Sequence, residues 1–155
     1  MIRVSKKATL VVPGPVTITF NVATGGTGYF NDPSMCSGFD QPPIRKPVED
    51  APQTDGGIVF AGLKGPRHLV IGGWLRAENE TDEDDWLDAI DDLADDLQSA
   101  LEAILGADGT YTYDPDGVNL ALTVQCDIPV SFPTESDGIN KKYLFGLVAA
   151  NPDFS

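Results

Sequence analysis

The chain has 155 residues, 41% of them hydrophobic, and carries 24 acidic side chains against 10 basic ones and one histidine, for a formal net charge of −14. This is the length of one domain, with enough apolar material for a core. The acid excess excludes a protein that grips a nucleic-acid backbone unaided, because phosphates are held by clustered lysine and arginine.

No apolar run approaches the roughly 20 residues of a membrane-spanning helix. The start, MIRVSKKATLVV, lacks the apolar core and small-residue cleavage site of a signal peptide, so none is expected. The 16 glycines and 12 prolines gather in turns and loops, which reads as order interrupted by loops.

In chain order, two strands come first. Residues 9–12 are β-branched and apolar, Pro13, Gly14 and Pro15 punctuate, and Val16, Ile18, Phe20 and Val22 alternate afterwards. The basic residues Arg3, Lys6 and Lys7 precede them, either solvated or facing a carboxylate-rich neighbour. Residues 23–57 are dense in glycine and proline and long for a loop inside a domain. They read as an arm, lid or intersubunit contact, with Tyr29, Phe30, Met35 and Phe39 as apolar groups to lay on another surface. The alternative is short irregular strands covering one mouth of a barrel. The glycine-rich run 23–28 lacks the Lys-Ser or Lys-Thr pair of a phosphate loop, so no nucleotide site is read there.

Residues 58–60 and 68–75 read as the two strands of a hairpin, with Lys64, Gly65, Pro66 and Arg67 as its turn. Gly72 and Gly73 would permit a bulge or the close approach of a helix.

One long helix is encoded by residues 82–105. Trp86, Ile90, Leu93, Leu97, Leu101 and Ile104 recur every three or four residues and form one face, flanked by Ala89, Ala94 and Ala100. Asp88, Asp91, Asp92, Asp95 and Asp96 form the opposite face. Thr81 or Asp82 suits the N-cap, and Gly106 the stop. Such a helix is marginal alone and needs a partner for its stripe, expected to be a sheet.

Short strands follow at 110–113 and 119–127, separated by an Asp114-Pro115-Asp116-Gly117 turn. A break is expected at Pro129 and Pro133, a turn at Asp137-Gly138, and a last strand at 142–150. The fold class expected is mainly β (or α+β): an antiparallel β-barrel or sandwich with one long flanking α-helix, as a single domain over 1–155.

Chemistry is sparse. His68 sits in a strand with no nucleophile or acid indicated beside it, and Ser136 with Asp137 makes no triad. The acidic helix contains no glycine-bearing calcium loop. Asp114, Asp116 and Asn119 read as a turn. Cys36 and Cys126 lack metal-ligand spacing and read as reduced thiols, a disulfide being possible without being implied. No catalytic residue, metal or cofactor is expected, and no enzyme activity.

Two stretches resemble a known family. Thr54-Asp55-Gly56-Gly57, followed by residues 60–74 (FAGLKGPRHLVIGGW), resembles the paired strands before the helix in distal tail proteins of long-tailed, siphovirus-like bacteriophages. The closing stretch 142–155 (KYLFGLVAANPDFS) resembles the strand that ends their amino-terminal, ring-forming domain, with Asn151 where the family tends to have Asp. The similarity spans about residues 55–155. It implies a structural virion component: a homohexameric ring joining the tail tube to the hub or baseplate. Tail tube protein and hub or baseplate proteins would be its partners, DNA would only pass through its channel, and no membrane is involved. The location implied is the virion tail, with host cytoplasm during assembly. No second, carbohydrate-binding domain is expected, since the sequence stops at Ser155. A tail tube or other connector protein, and a monomeric acidic protein-binding module, remain the alternatives, with a metal-dependent hydrolase resting on carboxylate density alone. The residues expected to make assembly contacts are Arg3, Lys6, Lys7, Tyr29, Phe30, Phe39, Tyr143, Phe145 and Phe154, with the acidic helix face as a further surface.

Overall fold

The alternating pattern of the first strands is realised as a barrel wall. β1 (Ala8–Val12) turns Ala8, Leu10 and Val12 inward, and β2 (Val16–Phe20) turns Ile18 and Phe20 the same way. In this computed structural model the described residues are 6–22, 27–40, 44–45, 48–50, 57–59, 63–77, 82–114, 119–133 and 141–154. The remaining barrel strands are β3 (Gly28–Asn31), β8 (Arg67–Arg76), β9 (Gly109–Tyr113), β10 (Leu120–Ser131) and β11 (Lys141–Ala149). They close in the order β1-β2-β3-β8-β11-β10-β9, with β9 returning to β1. Neighbours are antiparallel except β2 and β3, which touch in parallel at Phe20 and Tyr29. A mainly β barrel with one long helix is therefore the architecture, as the sequence pattern indicates.

Two short ladders stand outside the barrel. β4 (Ile44–Arg45) pairs with β7 (Leu63–Lys64), and β5 (Val48–Asp50) with β6 (Gly57–Val59). They nest into a two-stranded arm between β3 and β8. This corrects the expected hairpin: residues 58–59 pair upstream with the arm, and residues 64–67 are its returning root, not a turn. β8 pairs instead with β3 and β11. Local turn chemistry could not reveal this, because the ladders that win join residues on both sides of a long excursion. The 23–57 stretch thus contains β3, a 3-10 turn at Pro33–Met35, β4 and β5.

β10 also differs from expectation, running through Pro129 to Ser131. Its pairing with β11 shifts register between Cys126 and Ile128 and again between Ile128 and Ser131. Such irregularities are where a sheet accepts a residue without an N–H. Gly73 serves a close approach, but of a strand: a Cβ there would lie 2.0 Å from the Phe30 carbonyl oxygen of β3.

α1 (Glu83–Ala103) is capped by Asp82, whose Oδ1 accepts from the Asp85 N–H at 2.9 Å. Ile90, Ala94, Leu97, Ala100, Leu101 and Ile104 are buried in the same core as the barrel interior. Burying each large side chain of that set contributes about 1.5–3 kcal/mol. The helix meets β10, β8, β1 and β2, strands spread around the barrel, so it closes over one end. The Ile104 carbonyl accepts from the Cys126 N–H at 2.8 Å and pins its C-terminal end to β10. Trp86, placed on the apolar stripe by its spacing, remains 36% exposed, one turn ahead of the first buried residue Ile90.

Candidate assembly surface

The residues expected to make contacts fall into three groups. The first is interior. Tyr143 and Phe145 on β11 have no exposed surface, and Tyr29 on β3 is nearly as buried. Their rings cluster with Phe20 at centroid separations of 5.6 to 6.2 Å. The Tyr29 hydroxyl donates to the Leu93 carbonyl at 2.6 Å, and that of Tyr143 to Asn31 Oδ1 at 2.5 Å. Burial pushes both phenols well above their usual range. Against the expectation of assembly contacts, these three side chains lie in the interior and not on the surface, and Tyr29 ties β3 to the helix. An inward-facing strand position and an outward one carry the same residue types, and only the register distinguishes them.

The second group is anchored within the chain. Lys6 Nζ lies 3.3 Å from Asp114 Oδ2, and the Asp114 N–H donates to the Lys7 carbonyl at 2.7 Å. Asp114 takes φ 50°, a left-handed conformation that aspartate tolerates better than most residues. The basic start is thus engaged at the β1–β9 junction. Arg3 lies outside the described residues. Phe39 packs half-buried on the core, its ring 6.2 Å from that of Tyr111. Phe154 packs there too, with the Arg67 guanidinium 4.8 Å above its ring.

The third group faces out. Phe30 stands opposite Trp74, and Trp74 opposite Lys142, across β3, β8 and β11. Arg76 lies 5.2 Å over the Phe30 ring and Lys142 4.7 Å over that of Trp74, so cations and rings alternate along the barrel wall. Asp88, Asp91, Asp92, Asp95 and Asp96 are all exposed. Asp91 is paired with Lys141 at 2.6 Å. Like charges three and four apart on a helix oppose it by a few tenths of a kcal/mol per pair.

His68 is exposed and 3.0 Å from Asp127, a surface pair across β8 and β10. Cys36 and Cys126 are free thiols, and burial pushes both up from their ordinary range. Among the described residues no group of three His, Cys, Asp or Glu side chains is arranged to hold a metal, and no helix is long and apolar enough to cross a membrane. A shallow groove of about 330 Å³ lies between the β1–β2 turn and the helix, lined by Val12, Val16, Ile18, Asp96 and Ala100.

What the sequence did not single out is Arg67. It is 5% exposed, although it lies in a segment read as a turn. A charged residue beside Gly-Pro looks like a solvated turn position, and its acceptors are distant main-chain carbonyls that leave no pattern in the sequence.

No family model and no curated protein matches the chain. Its fold is similar to the crystal structure of Dit (gp 19.1) of SPP1, described as a paradigm of the hub adsorption apparatus in phages that infect Gram-positive bacteria. The superposition has a TM-score of 0.56 at 12% identity and covers 94% of this chain and 50% of that one. The present chain therefore spans half the length of that protein. At such identity the likeness is one of fold.

Proposed function

We propose that this chain is a structural component of a phage tail that assembles with copies of itself into a ring, a homohexamer, joining the tail tube to the hub or baseplate. The observation that carries this reading is the shared fold with a hub adsorption protein along 94% of the chain. Non-enzymatic function is part of the same reading, as is residence in the virion after assembly in the host cytoplasm.

The arm supports it physically. A lone two-stranded ribbon is marginally stable in water and needs a third strand or a packing surface. Among the described residues, β4–β7 and β5–β6 pair with no barrel strand. A neighbouring copy would give the arm a packing surface in a ring. The closed barrel removes most free strand edges, so copies meet through the arm and the outer walls and not by extending one sheet. The aspartate face of α1, lining the channel, would let DNA pass without sticking.

Mass by light scattering, followed by negative-stain imaging, tests the reading. Six-fold rings with an open centre are expected. A clean monomer at high concentration, with and without the tail tube and hub proteins, would overturn it in favour of a monomeric acidic binding module.

A further inference from the structure

The two stretches that carry the family resemblance pair along β8 and β11, and Arg67, opposite Ala149, stands at the end of that ladder beside the segment after β11. Its Nε donates to the Pro152 carbonyl at 2.7 Å, and its Nη1 to the carbonyls of Gly38 at 2.7 Å and Asp40 at 2.5 Å. Its guanidinium also covers the Phe154 ring. Close by, Lys64 Nζ lies 2.6 Å from Asp153 Oδ1. That second pair is half-exposed on both sides and contributes little alone.

These contacts join three separate parts of the chain. Gly38 and Asp40 belong to the outgoing root of the arm. Lys64 and Arg67 belong to the returning root. Pro152, Asp153 and Phe154 belong to the segment after β11. Gly38 has φ +90°, and a Cβ there would lie 1.9 Å from the His68 carbonyl oxygen, so the outgoing root lies directly on β8. A buried guanidinium is tolerated only while its donors are satisfied. Here main-chain oxygens from two different segments satisfy it together, and burial draws the group below its ordinary pKa, opposed by Asp153 and Asp40.

We propose that Arg67 is a latch that makes the arm and the segment 151–154 one mechanical unit, so that the state of that segment sets how firmly the arm is held. The guanidinium fork has a fixed geometry. If the Pro152 carbonyl and the Phe154 ring withdraw, the cation loses part of its compensation and its apolar cover, and turns toward water. It then releases Gly38 and Asp40 as well. Linkage makes the effect reciprocal: whatever seats firmly on 151–154 steadies the arm, and whatever seats on the arm steadies 151–154. The inference rests on contacts inside one chain and not on ring formation.

Amide hydrogen exchange on the full chain tests it. The variant Phe154→Ala removes the ring under the guanidinium and leaves Arg67, both arm roots and the Lys64–Asp153 pair chemically intact. The expected result is exchange about tenfold faster at the arm ladder amides of residues 44–45 and 63–64, with Leu97 in α1 and Tyr111 in β9 unchanged. Faster exchange confined to 151–154 would overturn the proposal. So would equal acceleration at Leu97 and Tyr111, which reports a general loss of stability. The single variant Arg67→Lys keeps the charge but loses the fork, and should loosen the arm and 151–154 together; loosening of one alone also counts against the latch. Should Arg67→Lys fail to fold, Phe154→Ala still decides. A protein that shows the coupling yet never assembles would remove the ring reading and leave this one standing.

Discussion

Phe145→Ala separates a core role from an assembly role for the closing strand. Phe145 has no exposed surface, and its ring centroid lies 6.1 Å from that of Phe20 and 6.2 Å from that of Tyr143. Truncating such a side chain costs about 3–5 kcal/mol, combining lost transfer energy with the cavity left behind. Lost ring–ring contacts fall inside that figure. Domains of this kind are stable by about 5–15 kcal/mol, so the variant surrenders a large share. With a urea dependence of about 2 kcal/mol per M, a loss of about 4 kcal/mol lowers the unfolding midpoint by about 2 M. The assay is urea unfolding of dilute protein followed by the fluorescence of Trp74 and Trp86. Phe30→Ala is the control: it lies half-buried on the outer wall and gives up a cation–π contact worth about 0.5–1 kcal/mol. The reasoning fails if Phe145→Ala moves the midpoint no more than Phe30→Ala while the oligomeric mass changes, since that is the behaviour of an interface residue.

Two further outcomes follow from the structure. Asp82→Ala removes the acceptor for the Asp85 N–H and should cost about 1 kcal/mol in the same urea assay, with faster amide exchange in the first turn of α1; an unchanged midpoint would mean that another group caps the helix. Stability should also fall as pH rises above about 10. Burial raises the phenol pKa of Tyr29, Tyr111 and Tyr143 in the folded chain, so above the unfolded value the folded state holds protons that the unfolded state has released. The unfolding free energy then declines with pH. Ultraviolet titration alongside circular dichroism checks this: ionisation of these three tyrosines while the spectrum stays native would contradict their burial.

Much of the secondary structure is legible in the sequence. The period of the apolar residues in 82–105 yields α1 to within two residues at each end, a short β-branched and apolar run yields β1, and alternation yields β2 and the inner face of β10. Local terms dominate there, because a side-chain period is a property of the segment itself. The candidate contact surface is legible only in part. Phe30 and the aspartates do face out, whereas Tyr29, Tyr143 and Phe145 are interior. Aromatic residues serve walls and cores equally well, and composition does not separate the two.

Periodicity along the chain already required one amphipathic helix to lay its apolar stripe on a sheet or barrel of short strands, and to show its carboxylates to the surroundings. Those conclusions follow from periodicity, charge and turn chemistry, which act over a few residues. Tertiary structure alone decided the partners: that residues 57–59 pair back across the arm, that β8 lies between β3 and β11, and that Arg67 is buried beneath Pro152 and Phe154. Each of those choices brings together residues far apart in the chain. The ordering entropy is repaid only when the whole barrel closes, so no single segment carries the signal.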